Sequence, residues 1–344
     1  MKYIIVLSLL FTSKLTKAQN FLSQYLTANQ PARLDTIISL HSKDSHAVDI
    51  PITVIRGTQK GPTFTIIAGI HGMEYPTIVS LLELSRELNP AKLKGNVVIL
   101  PVVNQPSFFK RVPFVNPMDE KNLNRVFPGS KEGSITEVMA NFITTQLYPH
   151  TDILLDMHGG DVSEDLLPFI CYYDNKEFKE QTATAAKLSE VSGFENIVVY
   201  PYSLTVDQPA KYAFKQAVRQ GVTALSIEIG KLGQMENADV KTTKDAIFRM
   251  LAELNMYETT FSLVNMQRKY FSKQMYIPVP AKGIFYSSVK AGDPVEKGQV
   301  LGYVKDVFGQ ELSKVTSNVS GIVLYKVGTP PVNMGESLFC IGSQ

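Results

Sequence analysis

Five short runs in this chain look like strands, and most of them are apolar on both faces: Thr63–Gly69, Val97–Val103, Thr151–Met157, Ile197–Tyr200 and Val222–Ile229. A strand with one wet face alternates apolar and polar residues. Runs without that alternation point to strands covered by helices on both sides. Helical patterns lie between them. Pro76 is suited to open a helix through Thr77–Leu88, which Asn89-Pro90 ends. Ser134 and Glu137 are spaced as a capping box for a helix reaching Leu147. Lys176–Ser192, Gln208–Gln220 and Thr242–Tyr257 are further helical segments. The alternation predicts an α/β domain over residues 19–265, with a mostly parallel sheet flanked by helices.

After Tyr270 the pattern changes. Short β-type runs are punctuated by Gly283, Gly292, Gly298, Gly302, Gly309, Gly321, Gly328 and Gly335, and no long helical pattern interrupts them. Residues 271–344 therefore read as a small all-β domain. Ala291-Gly292-Asp293-Pro294-Val295 and Val319-Ser320-Gly321-Ile322-Val323 resemble the barrel-sandwich fold of biotinyl and lipoyl domains. The tail lacks a Met-Lys-Met or Asp-Lys-Ala attachment site, which argues against a swinging-arm carrier.

The beginning of the chain reads as a signal peptide over residues 1–18. Lys2 supplies a positive start, Tyr3–Phe11 an apolar run, and Thr16-Lys17-Ala18 small residues at a cleavage site before Gln19. The run falls short of the roughly 20 apolar residues that span a bilayer, so the mature chain is expected to carry no integral membrane segment. The expectation is export to a periplasmic or secreted location. Loss of Lys2, Lys14 and Lys17 turns the formal net charge from +2 to −1, which leaves no electrostatic footprint for nucleic acid. Export permits a disulfide between the two cysteines, Cys171 and Cys340. Two separate buried thiols is the simpler expectation, since one pair makes no framework.

Four polar clusters fall where the predicted strands end: Ile70-His71-Gly72-Met73-Glu74, Asn104, Asp156-Met157-His158 and Glu228-Ile229-Gly230. Open α/β sheets bind ligands beyond the carboxyl ends of their strands. A catalytic zinc takes three protein ligands of nitrogen, sulfur or carboxylate type and keeps a position for water. His71, Glu74 and His158 meet that requirement. Glu228 would then be free as general base, the alternative being a salt bridge with a buried arginine. Asp156 lies on the same strand face as His158 and could orient its imidazole or form a plain salt bridge. Arg111 and the loop Asn122-Leu123-Asn124-Arg125-Val126-Phe127-Pro128-Gly129 offer groups suited to a carboxylate, or simply a surface arginine beside a turn.

The order of these motifs resembles the succinylglutamate desuccinylase/aspartoacylase family, which is related to the zinc carboxypeptidases. The resemblance covers most of residues 50–344. It implies a zinc-carboxypeptidase-like catalytic domain holding one zinc ion (Zn2+) per chain on His71, Glu74 and His158, with Glu228 activating the water. It implies that Asn124 and Arg125 grip a substrate carboxylate, and that Arg111, after a longer intervening loop, polarises the scissile carbonyl. Tyr212 loosely matches a substrate-contacting tyrosine. Gln216 stands where aspartoacylase has a further arginine, a departure that speaks against an acyl-aspartate substrate.

The expected function is hydrolysis of an N-acyl amino acid or related small amide. The alternative is an envelope metallocarboxypeptidase or peptidoglycan-peptide amidase acting on a short peptide. An alternative of another class is a non-catalytic binding module, against which the metal set and Glu228 speak. The sequence is compatible with a homo-oligomer.

Overall fold

A computed structural model describes residues 22–23, 25–26, 31–205, 207–258 and 266–344. Residues 1–18, read from the sequence as a signal peptide, lie outside the described residues. Among the described residues ten strands, β1 (Ala32–His41), β2 (Ala47–Arg56), β3 (Gln59–Ala68), β4 (Lys94–Leu100), β5 (Ile153–His158), β6 (Glu164–Leu166), β7 (Phe169–Asp174), β8 (Asn196–Pro201), β9 (Thr223–Glu228) and β10 (Lys269–Phe271), precede the tail. All but β6 form one sheet in the order β1-β2-β4-β3-β5-β9-β7-β8-β10. Pairs β4/β3, β3/β5, β5/β9, β7/β8 and β8/β10 are parallel. Pairs β1/β2, β2/β4 and β9/β7 are antiparallel. The sheet is therefore mostly parallel, as the doubly apolar runs require.

Successive side chains in its centre enter two different cores. Ile67, Leu154 and Ala224 pack on one face with Phe127, Met139 and Phe214. Ile66, Leu155 and Leu225 pack on the other with Ile78, Leu81 and Ile247. The flanking helices are α1 (Tyr75–Glu87), α2 (Gln105–Lys110), α3 (Ile135–Phe142), α4 (Lys179–Val191), α5 (Ala213–Arg219) and α6 (Asn237–Glu253). Pro76 lies in the first turn of α1, and Glu137 accepts from the Ser134 amide at 3.0 Å ahead of α3. The wider turn Ile143–Leu147 extends α3.

Two helices differ most from the sequence expectation. The helix expected from Gln208 begins at Ala213, because Lys211 is tied to Phe127 by a reciprocal pair of backbone hydrogen bonds and has φ +69°. The helix expected over Thr242–Tyr257 runs over Asn237–Glu253, one turn earlier. Strands β1, β2, β6, β7 and β10 lie outside the five expected runs. In β1 exposure alternates residue by residue, which marks a strand wetted on one face and paired only to β2.

The tail folds into β11 (Lys273–Pro278), β12 (Gly283–Ser287), β13 (Pro294–Val295), β14 (Val300–Lys305), β15 (Glu311–Thr316), β16 (Gly321–Val327), β17 (Pro331–Val332) and β18 (Ser337–Ser343). They form two antiparallel sheets, β11-β18-β16-β13 and β15-β14-β12-β17, around Phe285, Leu301, Val304, Val323, Leu338 and Phe339. Strand β6 leaves the large sheet and pairs with β16, placing Leu166 opposite Tyr325. Among the described residues no helix is long and apolar enough to cross a membrane.

Candidate metal centre and catalytic cavity

Strands β3, β5 and β9 are adjacent and parallel, so their carboxyl ends share one edge. His158 ends β5 directly opposite Glu228, which ends β9. The turn from β3 to α1 holds His71 and Glu74. Residues far apart in sequence thus meet because three strands stop at the same height.

Two glycines make the meeting close. Gly72 lies against the first turns of α2: a Cβ there would stand 2.2 Å from the Phe108 nitrogen and 2.4 Å from the Ser107 carbonyl carbon. Its amide donates to Ser107 Oγ at 3.0 Å. After β5, a Cβ on Gly159 would stand 2.1 Å from the Ile229 oxygen. Backbone cannot yield as a flexible side chain can. Gly72→Ala should therefore shift the His71–Glu74 turn and destabilise by about 1–3 kcal/mol, the usual range for overpacking. A thermal melt and metal titration of this variant that match the parent would show that the turn is not built on this approach.

His71, Glu74 and His158 are buried, and their ligand atoms all lie within 4.8 Å of one another. Glu74 Oε1 is 2.7 Å from His71 Nδ1, and Oε2 is 3.0 Å from His158 Nδ1. The opposite ring nitrogens face other groups. His71 Nε2 is 3.2 Å from Asn122 Oδ1, and His158 Nε2 is 3.1 Å from Asp156 Oδ1. Both Nδ1 atoms therefore converge on the carboxylate, and both Nε2 atoms face oxygens that can fix the ring orientation. Burial raises the Glu74 pKa, but the imidazoles of His158 and His71 overcome it and hold the carboxyl at about 2. Burial likewise opposes a charged His158, yet Asp156 and Glu74 hold its pKa well above the ordinary value.

These groups border a cavity of about 1130 Å³. Glu228 opens onto it. Burial pushes its carboxyl up to about 8; His158 opposes the rise, while Glu74, Glu164 and Asp156 add to it. Asn124 also lines the cavity, but its amide is already engaged: Oδ1 accepts from the Ala213 amide at 2.8 Å, and Nδ2 lies 3.3 Å from His158 Nε2. Arg125 is exposed at the rim, its guanidinium 4.8 Å from the Tyr212 ring centre and donating to the Asn124 oxygen at 2.7 Å. Arg111 is exposed at the end of α2 with φ +54°, outside the cavity lining. Gln216 is buried and does not line the cavity either. Cys171 and Cys340 are both free, buried thiols that line it, the simpler of the two expectations.

Sequence reasoning missed Lys215, Glu164 and the tail residues Tyr276 and Tyr325, all of which face this space. Lys215 was within reach, three positions after Tyr212 on a short helix. The tail tyrosines had no local signal, since only the packing of the tail brings them here.

Residues 60–254 match the model of the succinylglutamate desuccinylase/aspartoacylase catalytic domain. This chain belongs to the succinylglutamate desuccinylase/aspartoacylase family. It is 30% identical over 306 residues to the N-alpha-acetyl-L-2,4-diaminobutyric acid deacetylase of Halomonas elongata, and the match spans 86% of each protein. Its fold is that of family structures. A succinylglutamate desuccinylase/aspartoacylase from Rhodobacter sphaeroides superposes with a TM-score of 0.80 at 24% identity, covering 92% of this chain and 97% of the other. The ectoine utilization protein EutE (DoeB) from Ruegeria pomeroyi, in a product-bound structure, gives 0.81 at 24% identity, covering 92% and 96%. At such identities the likeness speaks for the fold, including the tail.

Proposed function

We propose that this chain is a zinc-dependent deacylase that cleaves an N-acyl amino acid or a related small amide. Family membership and the deacetylase relative support an amide hydrolase. The observation that carries the finer reading is the buried His71–Glu74–His158 set beside the Glu228 carboxyl in one cavity. The donor set fits zinc: two imidazole nitrogens and one carboxylate, with both distal ring nitrogens already facing oxygens. When bound, zinc would supply Lewis acidity and lower the pKa of water.

The chain's own groups supply the rest. Glu228 takes a proton from the attacking water and returns it to the leaving amine; a carboxyl poised near neutrality suits a group that must do both. Asp156 sets a carboxylate oxygen 3.1 Å from His158 Nε2, an ion-pair contact that favours this ring orientation. Asn124 acts mainly by position, since its oxygen fastens the start of α5. Arg125 spends one guanidinium nitrogen on the Asn124 carbonyl and stacks on Tyr212, leaving donors for a substrate carboxylate. The oxyanion role of Arg111 rests on motif position alone, because the side chain is outside the cavity lining.

The substrate of the Halomonas elongata relative, by its name an N-α-acetylated diamino acid, belongs to the proposed class. A cavity of about 1130 Å³ is above the usual small-ligand range of about 300–1,000 Å³, which favours a short peptide as the second reading. Zinc-loaded protein assayed on N-acyl amino acids and short peptides separates them. Hydrolysis of the acyl amino acids should dominate; turnover of peptides alone would replace the first reading by the second. On an accepted substrate, Arg125→Lys should cost a carboxylate-bearing compound about 1.5–3 kcal/mol and its carboxamide analogue far less. Equal losses would remove Arg125 as carboxylate reader. Export is likewise our proposal, on the leader pattern. N-terminal sequencing of protein recovered outside the cytoplasm should begin at Gln19.

A further inference from the structure

Glu164 opens β6, the short strand that bridges to β16, and it lines the same cavity as His71, His158 and Glu228. Its Oε2 accepts from the Asp161 amide at 2.9 Å. No described lysine, arginine or histidine pairs with it: the histidines of the cavity are engaged with Glu74 and Asp156. Neighbouring acids are accounted for differently. Asp161 accepts from the Phe114 and Val162 amides, Asp165 from the Ala291 amide, and Glu336 from the backbone and side chain of Asn333. Glu164 alone among them is a part-buried carboxylate on the cavity wall with one oxygen uncommitted to the protein.

A carboxylate withdrawn from water and left without a cation is costly. Burial pushes the Glu164 carboxyl up to about 7, and Glu74 and Asp161 add to the rise, so the protein's own groups satisfy a negative charge there poorly. A ligand cation would relieve this. Tyr325 lies close enough to feel the Glu164 charge and lines the same space. A carboxylate beside aromatic rings is a common setting for an ammonium group.

We infer that Glu164 is a specificity-determining residue that binds an ammonium group on the side chain of the substrate. This rests on the deacylase reading above. With Arg125 offering donors to a carboxylate and Glu164 an acceptor to an amine, the cavity would select acyl amino acids that carry a second, cationic amine.

Two substrates that differ only in that amine test the inference: N-α-acetyl-2,4-diaminobutyrate and N-acetyl-2-aminobutyrate. Parent enzyme should favour the cationic compound in kcat/KM by about 10- to 100-fold, the size of one charge-assisted hydrogen bond. Glu164→Gln keeps an acceptor for the Asp161 amide and should melt as the parent does. It should abolish the preference, mainly by raising KM for the cationic compound. A parent that treats both alike, or a variant that slows both equally, overturns the inference. Calorimetric binding of free 2,4-diaminobutyrate to parent and variant reads the same contact without turnover. If no acyl amino acid is hydrolysed but this binding depends on Glu164, the deacylase reading falls and the ammonium site stands. If hydrolysis is robust and Glu164→Gln changes neither preference nor binding, the site falls and the deacylase stands.

Discussion

Glu228→Gln should retain metal and lose about 10²–10⁴-fold in turnover, the range of a missing general base. The substitution keeps the size of the side chain at the end of β9, opposite His158, and removes only its ability to take a proton. It also removes a carboxyl that burial holds at about 8, so the metal-free variant should melt no lower than the parent. The sign follows from the raised pKa. The folded state binds this proton more tightly than the unfolded chain, whose carboxyl titrates near 4.3. The parent therefore loses stability as pH rises from about 4 through about 8, at most about 1.4 kcal/mol per pH unit from this group, and the amide variant loses none from it. Turnover within a few-fold of the parent on a verified substrate would sink the base assignment. A melt whose dependence on pH is unchanged would sink the electrostatic account of Glu228.

His158→Ala should abolish tight metal binding, and His71→Ala should do the same. Each removes one of three donors whose ligand atoms lie within 4.8 Å of one another. His158→Ala also takes a cationic partner from two buried carboxylates, leaving Glu74 with His71 and Asp156 with the Phe214 amide. Removing one partner of a buried pair typically costs about 3–5 kcal/mol, so the melt should drop as well. Asp156→Asn gives the graded control. It leaves all three donors, keeps an oxygen for the Phe214 amide and weakens the contact to His158 Nε2, so metal affinity should fall by about 10–100-fold. Metal analysis of folded protein is the readout. Full occupancy in both histidine variants would dismiss the ligand set. Equal losses in His158→Ala and Asp156→Asn would make Asp156 as important as a ligand.

Local patterns made much of this legible from the chain. Runs that are mostly apolar on both faces read as interior strands, and the five expected strands are present with shifted ends. Pro76 and the Ser134/Glu137 spacing marked two helix starts because those signals act within one turn. The helix expected from Gln208 starts late because a distant strand-like contact, Phe127 to Lys211, captures its first residues. No window around residue 211 contains that information.

The types of the site residues were determined by the sequence: two histidines, a glutamate three positions after the first, and an acidic residue at the end of an apolar run. Their chemistry is a property of the side chains, and their placement at strand ends is a property of local periodicity. The tertiary structure decided which ends are neighbours, because sheet order depends on long-range pairings that compete across the whole chain. It selected Nδ1 of both imidazoles to face Glu74 by setting Asn122 and Asp156 against the other nitrogens. It spent the Asn124 amide on the start of α5 and left Arg111 outside the cavity. It also brought Glu164, Tyr276 and Tyr325 to the cavity wall, through a three-residue strand whose pairing with β16 is a contact between segments about 160 residues apart.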